Sequence, residues 1–98
     1  MEAYYHSVIY LTLMLLGVDV QTEIQTNRGR IDAVVKMGKT LLIIEFKIGT
    51  AHEAINQIKQ RKYYEKYQHL TPTSIHLIGI GIDTQNRNLS SYLIEKIQ

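Results

Sequence analysis

Residues 40–47, T-L-L-I-I-E-F-K, decide the fold together with a second apolar run at residues 75–82, I-H-L-I-G-I-G-I. Such runs are typical of strands buried on both faces of a sheet. The segment between them, Ala51 to about Tyr67, is predicted to be a helix. Its apolar stripe at helical spacing consists of Ala51, Ala54, Ile55 and Ile58. A helix between two buried strands is a right-handed crossover, so the two strands are predicted to be parallel neighbours.

Two strands are predicted upstream of this unit. Residues 18–26, V-D-V-Q-T-E-I-Q-T, alternate apolar and polar side chains and predict a half-exposed strand at a sheet edge. Arg30 to Met37 is the next strand, between turns at residues 27–29 and at Gly38. The three strands up to Lys47 therefore form an antiparallel meander.

The two ends of the chain complete the predicted fold. Glu2 to Leu16 has no Gly or Pro and is apolar almost all round in its second half, which predicts a helix packed deeply on the sheet and ending at Gly17. Leu89 to Ile97 is predicted to be a final antiparallel edge strand. The fold class is α/β, with the order α-β-β-β-α-β, a possible further strand at the end and a mixed sheet flanked by helices.

The amino-acid composition limits the functions that the protein can have. We expect one domain, residues 1–98, without cysteine chemistry, so that carboxylates or imidazoles would have to hold any metal. The net charge of +2 permits an anionic partner but does not indicate one. The apolar stretch Val8 to Val18 is too short to span a membrane and lacks the basic start of a signal peptide. We therefore expect a cytoplasmic protein with no membrane partner.

The hairpin around Gly38 and Lys39 brings two carboxylates together. If its loop has two or four residues, paired positions sum to 77, which places Asp32 opposite Glu45 and on one face with Lys47. Two carboxylates at that spacing repel each other unless a cation or a proton separates them. Geometry alone leaves two interpretations open: a site for an oxygen-liganded metal such as Mg²⁺, or an ordinary ion network with Arg30 and Lys47.

Three motifs in this order resemble a known family. G-R-I-D (29–32), I-I-E-F-K (43–47) and A-I-N-Q-I (54–58) together resemble the PD-(D/E)XK nuclease superfamily, with Ile31 where the superfamily's name has Pro. More narrowly, the chain looks like the nuclease-like domain found at the C-terminus of bacterial AAA-type ATPase-like proteins. The resemblance covers almost the whole chain.

The resemblance implies a restriction-endonuclease-like core and a divalent-metal phosphodiesterase site. By position, Asp32, Glu45 and the backbone carbonyl of Phe46 would bind Mg²⁺ or Mn²⁺. Lys47 would orient or help to deprotonate the attacking water, and Gln57 would support that water or the lysine. Glu2 corresponds to the acidic residue of the first helix that often completes such sites.

Other polar residues have blander interpretations. Glu2 and His6 share a helix face and are more simply a capping or supporting pair than a zinc site. Glu23 is interpreted as a solvated carboxylate of the edge strand, and His52, His69 and His76 as structural. Gln57, Arg61 and Tyr64 form one helical stripe, while Lys59, Lys62 and Lys66 lie elsewhere around the helix. If Gln57 is at the site, Arg30, Arg61 and Tyr64 become candidates for contact with nucleic acid.

The sequence therefore predicts a Mg²⁺-dependent or Mn²⁺-dependent nuclease domain that hydrolyses DNA, with Asp32, Glu45 and Lys47 at its centre. The alternative is a catalytically silent module of the same fold that binds DNA or regulates an ATPase partner. A homodimer is plausible for a domain with so little surface to hold a duplex.

Overall fold

The computed structural model describes residues 2–26, 29–68, 72, 74–85 and 88–98, with side chains described for all of these except 2–7, 9 and 88–90. The elements, in chain order, are α1 (Glu2–Leu15), β1 (Asp19–Thr26), β2 (Gly29–Met37), β3 (Thr40–Ile48), α2 (Ala51–Arg61), α3 (Glu65–Gln68), β4 (Ser74–Asp83) and β5 (Asn88–Lys96). This order confirms the predicted α/β arrangement, and β5 is the predicted final strand. The predicted turn at Asn27 and Arg28 lies outside the described residues.

The five strands form one mixed sheet in the order β1-β2-β3-β4-β5. The pairs β1–β2 and β2–β3 are antiparallel, which confirms the meander. β3 and β4 are parallel and occupy the interior of the sheet, as their continuous apolar runs predict. β5 pairs antiparallel with β4, so that β1 and β5 are the edge strands.

Each face of the sheet carries its own apolar cluster. Leu41 and Ile43 of β3 pack with Ile55 and Ile58 of α2 in what we term the α2-side cluster. The next residues of β3 alternate to the opposite face, where Ile44 and Phe46 belong to the α1-side cluster, against which Leu13 of α1 packs. Because side chains alternate along a strand, β3 is buried on both faces.

Two glycines let α2 approach the sheet closely. A Cβ on Gly79 would overlap the carbonyl oxygen of Ala51 and lie 2.8 Å from Cγ1 of Ile55. A Cβ on Gly81 would lie 2.7 Å from the backbone nitrogen of Ala51. That nitrogen donates a hydrogen bond to Oγ of Ser91 on β5, at 3.0 Å. The start of α2 is therefore fixed directly against the backbone of β4.

Helix α1 is less buried than its sequence predicts. Leu11 is 58% exposed and Leu15 is 88% exposed, whereas Leu13 is partly buried. Among the side chains of α1 that the structure describes, most apolar ones are exposed, and the helix contacts the sheet chiefly at β1 and β3. The prediction of a deeply packed helix is therefore wrong, although the helix ends before Gly17, whose φ is 79°. No helix among the described residues has the length and apolar character needed to cross a membrane.

The second helix ends earlier than predicted. α2 stops at Arg61 because Lys62 adopts the left-handed conformation, with φ 51° and ψ 42°, and its N–H bonds to the carbonyls of Ile58 and Lys59. The chain then turns so that Tyr63, which is 1% exposed, enters the α2-side cluster. A single helix to Tyr67 is therefore wrong, because Lys62 leaves the helical conformation and a separate short helix, α3, begins at Glu65.

Candidate active site

A cleft opens where β2 separates from β3. The two strands pair through Ala33 and Ile44, in the register that sums to 77, and the two-residue loop Gly38–Lys39 is the predicted even loop. Beyond that pair, β2 continues along β1 to Gly29, while β3 continues along β4 to Ile48. The two strands therefore diverge at the step that leads to Asp32 and Glu45.

At this point a hydrogen bond to the side chain of Asp32 replaces the backbone pairing between β2 and β3. Its Oδ2 accepts a hydrogen bond of 2.9 Å from the backbone N–H of Phe46. The sequence predicted that Asp32 and Glu45 pair across the two strands, and they do not. Instead, the side chain of Asp32 bonds to β3, the strand that carries Glu45. The hydrogen bond fixes one oxygen of Asp32, which sets the direction of the other.

The strand that carries Asp32 also changes face there. Residues two apart on a regular strand share a face, yet Ile31 packs in the α2-side cluster and Ala33 in the α1-side cluster. The pairing of β1 with β2 skips Glu23 and Asp32, and Glu23 has a positive φ of 53°. β1 and β2 are thus both irregular at this position, which places Asp32 where β2 and β3 diverge.

Seven of the predicted residues line this cleft. It has a volume of about 320 Å³ and is lined by Arg30, Asp32, Glu45, Phe46, Lys47, Gln57 and Arg61. We call it the carboxylate cleft. Glu45 is only 2% exposed and Asp32 is 7% exposed, whereas Lys47 and Gln57 are half-buried. Three cationic side chains, of Arg30, Lys47 and Arg61, therefore line the same cleft as two buried carboxylates.

Several other candidates lie away from this cleft. Tyr64 follows the end of α2 and packs against the α2-side cluster instead of continuing the stripe of Gln57 and Arg61. Glu23 is exposed, with its Oε1 4.0 Å from Nη1 of Arg30, as expected of a solvated carboxylate. The side chains of Glu2 and His6 and the whole of His69 lie outside the described residues. His52 and His76 do not line the carboxylate cleft.

The sequence interpretation did not identify the glycines that position the site. Gly79 and Gly81 hold α2, and with it Gln57, close to the sheet. Their signal was present as G-x-G inside a buried apolar strand, where glycine marks close approach of another backbone. Gly29 has φ 133°, and a Cβ there would lie 2.6 Å from Nη1 of Arg61. No simple sequence pattern announces that contact.

A mixed five-stranded sheet between helices, with a cleft of this kind at diverging strands, is a restriction-endonuclease-like α/β fold. The family model of the PD-(D/E)XK nuclease superfamily matches residues 1–92. The chain belongs to this superfamily. It is also 33% identical over 99 residues to a protein of Azotobacter chroococcum mcd 1 named "uncharacterized protein in vnfD 5′ region". That alignment covers 98% of this chain and 19% of the relative, so the chain spans about a fifth of the relative's length.

Proposed function

We propose that this domain is a divalent-metal-dependent nuclease that hydrolyses DNA phosphodiester bonds in the carboxylate cleft. One observation carries the proposal: Asp32 and Glu45, 7% and 2% exposed, line the same cleft as Lys47. Membership of the superfamily supports a nuclease and hence a nucleic-acid substrate. The metal and the choice of DNA are parts of the proposal.

Electrostatics supports a cation in the cleft. Withdrawing carboxylates from water is costly, and two of them together repel each other unless positive charge is added. The cleft supplies Lys47, Arg30 and Arg61, but Arg30 is about half exposed and reaches toward Glu23. A divalent cation would add two positive charges in the cleft that both carboxylates line.

The ligand set suits a hard cation that keeps most of its water. Among the described residues, no three carboxylate or imidazole side chains come together. Two carboxylates and the carbonyl of Phe46 are therefore the candidate protein ligands. Mg²⁺ is commonly held by one or two carboxylates, with waters and substrate phosphate completing its shell. Glu2 would add a further oxygen if its side chain reaches the cleft.

The residues around the cation have distinct roles. A bound Mg²⁺ or Mn²⁺ would supply a water nucleophile at neutral pH and counter-charge for the phosphate. Asp32 and Glu45 would provide ligand oxygens to the metal, and the N–H of Phe46 orients the carboxylate of Asp32. Lys47 donates to the attacking water or to a non-bridging phosphate oxygen, where negative charge increases during the reaction. Gln57, on the facing helix, positions that water or Lys47.

A silent module of the same fold is the rival function. A domain kept only to bind DNA gains nothing from holding two carboxylates near a phosphate, because they repel it. The cleft therefore favours catalysis over the rival. An ATPase partner, a homodimer and a cytoplasmic location remain predictions.

The proposal is tested by incubating duplex, nicked, branched and single-stranded DNA with the protein and Mg²⁺ or Mn²⁺. We expect cleavage that chelation abolishes and that Asp32→Ala and Lys47→Ala each reduce by at least about 100-fold. Lys39→Ala, in the exposed β2–β3 turn outside the cleft, is the matched control and is expected to cleave like the wild type. Activity that survives Asp32→Ala and Lys47→Ala contradicts the site, and inactivity on every substrate favours the rival.

A further inference from the structure

A second cleft adjoins the carboxylate cleft at the end of α2. It has a volume of about 450 Å³ and lies between the segment 61–66 and the end of β1. Its charged lining residues are Arg61, Lys62 and Lys66, with Glu65 as the one acidic residue among them. Arg61 also lines the carboxylate cleft, so the two clefts share a wall. We call this second site the basic cleft.

Arg61 is held in place between the two clefts. Its Nη1 lies 3.4 Å from the hydroxyl oxygen of Tyr63, to which it donates, and the Tyr63 ring is buried. The same Nη1 also lies against the bare backbone of Gly29, where a Cβ would come within 2.6 Å of Nη1 and 2.9 Å of the Tyr63 hydroxyl oxygen. These contacts place the guanidinium at the β1–β2 end of the sheet, where it lines both clefts.

Lys62 occupies a position that usually belongs to glycine. The residue that ends a helix in the left-handed conformation is most often Gly, and an L side chain there costs about 1 kcal/mol or more. Here the residue is a lysine with φ 51°, and its side chain is exposed and lines the basic cleft. Strain of this kind is commonly retained where the side chain has a function.

Lys66 spans the basic cleft. Its Nζ donates a hydrogen bond of 3.1 Å to the backbone carbonyl of Gln25 on β1 and lies 6.0 Å from the centre of the Tyr67 ring. The ammonium is thus held at the edge of the sheet while the residue remains exposed. Together with Arg61 and Lys62 it forms a track of positive charge that leads out of the carboxylate cleft.

We propose that the basic cleft binds the phosphodiester backbone of DNA beside the bond that is cut, with Arg61 passing from one phosphate site to the next. This rests on the proposed function, since it assigns the flanking phosphates of the same substrate. Lysines and arginines on phosphates contribute affinity and register but read no sequence. The structure thus assigns this domain a sequence-independent grip on DNA at one side of the site.

The test measures duplex DNA binding in the Asp32→Asn background, without metal, between 50 and 200 mM salt. Loss of two phosphate contacts is expected to lower the slope of log affinity against log salt by about 1.8. The Lys62→Gln, Lys66→Gln double variant should therefore lose about tenfold less affinity over that range than its parent. The control, Lys39→Gln with Lys96→Gln, removes the same charge from exposed positions outside both clefts and should keep the parental slope.

Lys62→Gly separates binding from folding. Glycine relieves the strained backbone, so this variant should unfold at a higher temperature than its parent yet bind DNA more weakly. Equal slopes for the two double variants, or undiminished binding by Lys62→Gly, overturn the assignment of the basic cleft. If the lysines govern binding but the wild type cleaves nothing, the basic cleft stands and the nuclease function fails. If the wild type cleaves and the slopes are equal, the basic cleft alone fails.

Discussion

Asp32 combines a structural and a chemical role in one side chain. Its Oδ2 closes the β2–β3 hairpin by accepting the N–H of Phe46, and its carboxylate lines the cleft with Glu45 and Lys47. The two roles depend on each other, because the hydrogen bond keeps the carboxylate at the point where the strands diverge. An asparagine would keep the hydrogen bond, through its amide oxygen, and remove only the charge.

Tyr67 shows the cost of a buried polar atom elsewhere in the core. Its ring is 4% exposed, and its hydroxyl has no hydrogen-bond partner among the described residues. Burial raises the pKa of Tyr67 above its usual value of 10.0. The unfolded chain therefore loses this proton more readily than the folded one. The contribution of this proton to the free energy of unfolding is complete below pH 10.0 and is lost as pH rises through the folded pKa.

We expect Tyr67→Phe to raise the free energy of unfolding by about 1 kcal/mol at neutral pH, because it removes a buried hydroxyl without a partner. It should also lessen the fall in stability above pH 10. The measurement is urea denaturation at neutral pH and above pH 10. Tyr63→Phe is the matched control, since the Tyr63 hydroxyl is bonded by Arg61 and its removal should not stabilise the fold. Destabilisation by Tyr67→Phe would contradict a buried Tyr67 hydroxyl without a hydrogen-bond partner.

At the scale of elements, α2 is positioned by β4 and β5 as much as by its own apolar stripe. Ser91 accepts the N–H of Ala51, and Nζ of Lys59 lies 2.6 Å from Oε1 of Glu95. The first residue of α2 and Lys59 near its end therefore both bind side chains of β5. Gln57 reaches the carboxylate cleft only because these contacts, and the bare backbone of Gly79, let the helix lie close.

We predict that Gly79→Ala lowers the free energy of unfolding by about 3 kcal/mol, because the added methyl overlaps the backbone of α2. The same change should weaken catalysis by moving Gln57. Gly38→Ala is the control: its Cβ would meet no atom, and its φ of 60° alone should cost about 1 kcal/mol. Equal effects of the two substitutions on thermal unfolding would show that α2 does not lie against β4 as described.

The sequence predicted elements whose pattern is local. The apolar runs of β3 and β4 defined the parallel pair, and the even hairpin loop gave the correct register from the turn as far as Ala33 and Ile44. It did not predict the end of α2 at Lys62 or the change of face at Asp32. Both depend on tertiary packing: the first on burial of Tyr63, the second on an irregularity shared by two strands.

At the scale of the whole molecule, the two faces of the sheet are unequal. α2 packs against β3, β4 and β5, whereas α1 chiefly contacts β1 and β3 and leaves much of its own apolar surface exposed. The carboxylate and basic clefts share Arg61 and both adjoin the end of α2. Both clefts proposed to hold DNA therefore lie on the α2 side of the sheet.

A cation held by two buried carboxylates should stabilise the whole fold. Binding to the folded state alone adds about 2.7 kcal/mol when the metal is present at 100 times its dissociation constant. This stabilisation can be measured without knowing the preferred DNA, and it depends directly on the two buried carboxylates.

The most direct measurement is therefore thermal unfolding of the wild type, Asp32→Asn and Glu23→Gln across a titration of Mn²⁺ and of Mg²⁺. The predicted result is an unfolding temperature that rises with metal in the wild type and in Glu23→Gln, whose exposed carboxylate lies outside the cleft, and that stays constant in Asp32→Asn. An equal rise in all three proteins, or no rise in the wild type, would contradict a metal site at Asp32 and Glu45.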